Sequence, residues 1–227
     1  MAAAWKQLYF DVLLVPAGLL LLLAYHVFYF YKVRRHPLKT VVGVNHLGRT
    51  AWVHSIMKDN DKKNILAVQT LRNSIMASTL MASTAILLSS GLAAFLSSSY
   101  SVKRPLHGFS STVTVLGAHD DITIATKFVA LLACFLFSFI CYMQSVRFTN
   151  HVGFLINTPV TSDSKITPDY VAAVLARGSN FYTVGTRGYY FAFPLLLWLF
   201  GPIPVVVACL LLVPFLYRLD LVTDDQC

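Results

Sequence analysis

Three arginines carry the chemistry that stands out in this sequence. Arg72, Arg147 and Arg187 each sit at the end of a long apolar run, and Gln69, Asn73, Gln144 and Asn150 accompany them. A guanidinium is always charged and presents a planar fork of donors that fits phosphate or carboxylate. Gathered at one end of a helix bundle, beside the start of the last helix, these groups would bind a phosphate, carboxylate or halide. Arg72, Asn73, Gln144, Arg147 and Arg187 are therefore the candidate anion- or lipid-binding residues. The competing reading is plain flanking of membrane segments, each arginine meeting a lipid phosphate by itself. A second pair, Asp11 and Lys127, lies inside apolar runs, where an ionisable group is costly and usually faces a partner or water. Both fall near the outer ends of their runs, so they either form an intramembrane ion pair or snorkel separately to the headgroups.

Other chemistry is weakly represented. His36, His46 and His54 are spaced by ten and eight residues, with no i, i+4 pair, which does not suit a metal site. The four cysteines, Cys134, Cys141, Cys209 and Cys227, show no CxxC or Cys/His spacing, and Cys134 and Cys141, seven apart on one helix face, read as packing. His26, in an apolar run, reads as a packed or carbonyl-bonded histidine. All ten acidic residues are aspartate, and no GxSxG, HExxH or glycine-rich phosphate loop occurs. The expectation is a protein that is not an enzyme and needs no metal or other cofactor.

The elements that must position these residues are membrane spans. Only 12% of residues are charged and 56% are hydrophobic, against about 25% charged in ordinary soluble domains. The net charge of +8 does not point to nucleic acid, because the basic residues flank apolar runs instead of covering one polar face; lipid is the expected partner. Residues 64–98 form the organising stretch, free of charge for more than twenty residues from Ile75 onward, as a helix crossing a ~30 Å core requires. Small residues at Thr70, Ser74, Ser78 and Ala82, then Ala85, Ser89 and Ala93, make a ridge against which other helices can approach closely.

In chain order, spans are expected at about 10–31, 70–98, 122–148 and 189–217, within a single membrane domain covering 1–227. The first is a retained span, not a cleaved signal, since aromatic residues Tyr25 to Tyr31 follow where small residues would mark a cut. Residues 32–63 are a basic loop in which Leu38, Val41, Val42, Leu47, Ala51, Trp52 and Ile56 fall near helical spacing, suiting a helix in the headgroup plane. Residues 97–121 are a Ser/Gly/Thr-rich loop. Residues 149–188 form a second long polar loop; within it Thr167-Pro168-Asp169 signals a helix start, and Val171, Val174, Leu175, Phe181 and Tyr182 form one apolar face. As one helix, 189–217 would be ~44 Å long, and Gly201-Pro202-Ile203-Pro204 must kink or break it. A kinked single crossing is the favoured expectation and a short hairpin the alternative.

The fold class expected is thus an all-α integral membrane bundle of four transmembrane helices plus amphipathic cytoplasmic helices. The positive-inside rule puts loops 32–63 and 149–188 in the cytoplasm and both termini outside; a hairpin at Gly201 would return the tail to the cytoplasm. No retention or transit motif occurs, so the secretory route leads to plasma membrane or endomembrane.

The stretches RRHPLKTVVGVNHLGRTAWV at 34–53, NILAVQTLRNSIMASTLMASTAILL at 64–88, YMQSVRFTNHVGFLIN at 142–157 and ARGSNFYTVGTRGYYFAFPLLLWLFGP at 176–202 together resemble the plant branch of the domain-of-unknown-function family numbered 599. The resemblance covers nearly the whole chain and implies a multi-pass membrane protein; the family carries no established activity or site to transfer. Two functions are then open: a non-enzymatic scaffold or accessory subunit with a basic cytoplasmic face for anions or lipid headgroups, partnered by itself or by another membrane protein, or a small oligomeric channel or carrier for an anion or other small solute.

Overall fold

The computed structural model describes residues 2–101, 121–158 and 166–222, all of them helical apart from short connections. The Ser/Gly/Thr-rich loop at 97–121 lies almost wholly outside the described residues. Among the described residues six α-helices follow one another: α1 (Ala2–Arg35), α2 (Val41–Lys58), α3 (Asn60–Ser101), α4 (Asp121–Leu155), α5 (Pro168–Leu197) and α6 (Pro202–Asp220), with a 3-10 turn at Pro37–Lys39. Among the described residues four segments are long and apolar enough to cross a membrane: Leu13–Arg35, Lys63–Ser98, Thr123–Leu155 and Pro202–Asp220. Their outward side chains are those a bilayer demands. Leu13, Leu80, Leu87 and Leu211 are all about two-thirds exposed or more, which for a bundle in water would be a continuous aggregation surface. An all-α integral-membrane bundle is the fold.

The chain divides into two compact units that share four of the helices. The first takes residues 1–31, 86–136 and 188–220. Its interior contains Leu131 and Phe135 of α4 against Ala192 and Leu195 of α5, with Val15 and Leu22 of α1 and Val205 and Cys209 of α6 also buried. Residues 189–217 do not form one helix. Pro194 and Pro214 are absorbed within α5 and α6, but the stretch between tightens into successive i→i+3 bonds, ending with Gly201 N–H donating to the Trp198 carbonyl at 3.2 Å. Gly201 then takes φ 137°, a conformation that only glycine adopts without strain, and Pro202 opens the next helix where its missing N–H costs nothing. The favoured single kinked crossing is therefore corrected to the hairpin. Contacts along α1 give α6 its direction. Asp11 meets Trp198, just before α6; Gly18 faces Val205 and Cys209; and Tyr25 meets Asp220. The two helices run side by side and parallel, so a chain that enters this unit at one end leaves it at the other.

The second unit takes residues 32–85, 137–187 and 221–227. The Thr40 hydroxyl caps α2, accepting from Gly43 N–H at 3.2 Å and donating to the Pro37 carbonyl at 2.7 Å. Val53, Ile56 and Met57 of α2 pack with Ala67 and Leu71 of α3, Val152 and Leu155 of α4, and Val171, Val174 and Leu175 of α5. The α2 helix is present as expected, but its buried face is Val53, Ile56 and Met57, whereas Leu38 and Leu47 are exposed. Thr167 caps α5 through the Tyr170 N–H, as the sequence suggests, and Val171, Val174 and Leu175 are buried. Residues 149–188 are mostly not loop: α4 continues to Leu155, and α5 runs unbroken from Pro168 through Arg187. Its polar, small residues are packing residues. At Gly178 and Gly185 an added Cβ would lie 3.2 Å from side-chain atoms of α4, so the two helices meet nearly backbone to backbone. The α3 ridge is buried at Ser78, Ala82, Ala85 and Ser89. Thr70 and Ser74 instead face outward and turn their hydroxyls back onto the carbonyls of Leu66 and Thr70.

Candidate functional site

The five residues grouped from sequence, Arg72, Asn73, Gln144, Arg147 and Arg187, all fall in the second unit. Arg72, Asn73 and Arg147 are exposed, and Gln144 and Arg187 are half-buried. Among the described residues, no hydrogen bond joins Arg72, Asn73, Gln144 and Arg147 to one another. Helix rotation explains why. A residue advances about 100° around the axis, so Arg147 points roughly opposite the buried Ser145 beside it on α4. Arg72, one residue on, is turned by about 100° away from the buried Leu71 on α3. Arg72 and Arg147 are thus presented to the surroundings on separate helices, as groups that meet headgroups are.

Asp11 and Lys127 belong to the first unit and are 3% and 2% exposed. The structure brings them to one side chain. Trp198, in the turn between α5 and α6, donates its indole N–H to Asp11 Oδ1 at 3.3 Å, and Lys127 Nζ stands 5.4 Å from the centre of the Trp198 rings. The indole thus offers an edge donor to the carboxylate and a π-face to the ammonium, a geometry that stabilises a cation in a dry environment. It also anchors the start of the hairpin to α1 and α4.

Several polar groups escaped the sequence reading. Ser78 on α3 and Ser145 on α4 share a buried hydrogen bond at 3.2 Å, and the Tyr142 and Thr186 hydroxyls meet at 3.0 Å across α4 and α5. Tyr25 donates to Asp220 Oδ2 at 2.6 Å within the first unit. In the second unit His54 meets Asp169 at 2.9 Å, and Arg49 donates to the Ser179 hydroxyl. Both contacts tie α2 to α5. Leu221 pairs with Thr40, and Val222 N–H donates to the Lys39 carbonyl at 3.2 Å, so the described tail is clasped to the turn before α2. The one usable signal was Trp198 itself, because an indole N–H in an apolar stretch requires an acceptor. Among the described residues no three His, Cys or Asp side chains stand close enough to hold a metal ion.

The profile of a family described as "Protein of unknown function, DUF599" matches residues 13–225, nearly the whole chain. No curated protein matches the chain, and no solved structure matches it.

Proposed function

From its place in the DUF599 family, to which the chain belongs, we propose that it is a non-enzymatic membrane scaffold or accessory subunit whose basic cytoplasmic face binds anionic groups or lipid headgroups. The observation that carries this reading is how the polar groups of the helices are used. Ser78 with Ser145, Tyr142 with Thr186 and Tyr25 with Asp220 each join one helix to another, and Asp11 joins α1 to the turn at Trp198. Such groups fix helix register and hold a bundle rigid, which suits a platform. The exposed Arg34, Arg35, Lys39, Lys58, Arg72 and Arg147 supply its basic face, each contributing ~1 kcal/mol toward an anionic leaflet. The partners of this platform are membrane lipid and either further copies of the chain or another membrane protein, in the plasma membrane or endomembrane. A plant source is the finer reading of the family resemblance.

A second function is favoured by one observation, the burial of Asp11 and Lys127 within the helices. Intramembrane ionisable groups often mark an ion or proton path, so a small oligomeric channel or carrier is the alternative. Reconstitution of the purified protein in liposomes separates the two. The scaffold reading expects no flux of halide, nitrate or protons above empty liposomes, and a stable membrane partner on affinity capture from the native membrane. Flux that Arg72→Ala or Arg147→Ala abolishes would establish transport instead.

A further inference from the structure

We infer that the groove between α5 and α6 is a binding site for one anionic phospholipid, with an acyl chain along the groove and the phosphate on Arg218. The inference stands apart from the scaffold reading and concerns the first unit alone. The groove encloses about 400 Å³. Phe193 and Leu197 of α5 form one wall, and Val207, Ala208, Leu211 and Phe215 of α6 form the other. Ala208 is buried at its floor, while Val207, Leu211 and Phe215 remain substantially exposed along its rim. Every lining side chain is apolar, so the occupant must be hydrocarbon over this length.

The polar end of the occupant follows from the register of α6. Positions 204, 207, 208, 211, 212 and 215 share one face at i, i+3, i+4 spacing, and the next residue on that face is Arg218, exposed at the last turn of the helix. From Val207 to Arg218 is eleven residues, about 16 Å, close to half of a ~30 Å hydrocarbon core. A lipid tail of one leaflet therefore matches the length from Val207 to the guanidinium of Arg218. The charge is complementary: Asp220, the nearby acid on α6, is turned inward onto the Tyr25 hydroxyl, and the exposed Arg218 is the charged residue at that end of the groove's face of α6. That end lies level with the part of α1 leading into Lys32, Arg34 and Arg35, the side on which anionic lipids concentrate by the positive-inside rule.

The test uses full-length protein purified in mild detergent, titrated with phosphatidylglycerol or phosphatidylcholine and read by native mass spectrometry, with thermal unfolding as a check on folding. Wild type is expected to retain one phosphatidylglycerol in preference to phosphatidylcholine. Arg218→Gln should lower phosphatidylglycerol retention about five-fold, the equivalent of about 1 kcal/mol at 1.4 kcal/mol per decade, and leave phosphatidylcholine unchanged. Arg218→Lys should keep most of the preference. Leu211→Trp, which places an indole across the groove, should reduce retention of both lipids. Equal retention of the two lipids by wild type would overturn the inference, as would phosphatidylglycerol binding indifferent to Arg218→Gln. So would a dimer that Leu211→Trp dissociates, since the groove would then be covered by a second copy of the chain. None of these outcomes depends on whether a protein partner or an ion flux is found.

Discussion

Lys127→Met is expected to cost about 3–5 kcal/mol of stability, the range for removing one partner of a buried charge pair, and to cut the yield of folded protein sharply. Both Asp11 and Lys127 are almost fully buried and both engage Trp198. With the ammonium gone, the carboxylate keeps the indole N–H but loses the nearby positive charge in a medium that cannot solvate it. Asp11→Leu should have the mirror effect. The double variant Asp11→Leu/Lys127→Met should recover most of the loss, because a buried pair replaced by apolar groups is often neutral or better. Exchanging the charges, Asp11→Lys with Lys127→Asp, should likewise restore the expression that either reversal alone removes. Thermal unfolding in detergent across the four members of the cycle measures the coupling directly. Simple additivity of the two single losses would show that the groups act independently.

Gly43→Ala should be nearly as damaging, for a steric reason. A Cβ at Gly43 would stand 2.0 Å from the Pro37 carbonyl oxygen and 2.9 Å from the Pro37 Cα. Those are backbone atoms, so the turn itself must move. Its movement would break the Thr40 cap on α2, worth ~1 kcal/mol, and would strain the pairing of Thr40 with Leu221. Adding an overpacking cost of ~1–3 kcal/mol, the expected loss is about 2–4 kcal/mol. Gly48 and Gly153 are the matched controls. Each has open space at its Cβ position, so alanine there should be neutral or stabilising by up to ~1 kcal/mol, the difference in helix propensity. A melting temperature for Gly43→Ala equal to that of Gly48→Ala would refute the steric account.

These two sites differ in how far the sequence exposes them. Asp11 and Lys127 stand out in the sequence because charges in apolar runs are conspicuous and their depth is countable. Their shared neighbour, Trp198, is inconspicuous in an apolar run. The clash at Gly43 depends on how the Pro37–Lys39 turn folds back on α2, which no spacing rule reveals. The helices followed from hydrophobic runs, and the α5 cap from Thr167-Pro168-Asp169. The length of α5 did not, because the apolar face ends at Tyr182 and Thr183, Gly185 and Thr186 beyond it have loop composition; in the fold the small size of Gly178 and Gly185 is what lets α5 lie against α4. Gly201 was recognised as a weak point, but a kink and a reversal share the same Gly-Pro signal. Only the contacts of Trp198 and Asp220 along α1 decide between them. The arginine set illustrates a further limit. Sequence places Arg72, Arg147 and Arg187 near span ends, but facing is set by rotation about each axis, and Arg147 turns away from the side on which Ser145 is packed.

The central claim is that α6 doubles back parallel to α1, so that Leu221 and Val222 at its end share a membrane side with the turn before α2 that they meet. Membrane-impermeant labelling of sealed vesicles tests it most directly, with an epitope before Ala2, a reporter cysteine at His46 and an epitope appended after Cys227. The His46 and Cys227 reporters should become accessible together, under the condition in which the Ala2 reporter is shielded. Accessibility of the Cys227 epitope together with the Ala2 epitope, while His46 stays protected, would contradict the hairpin.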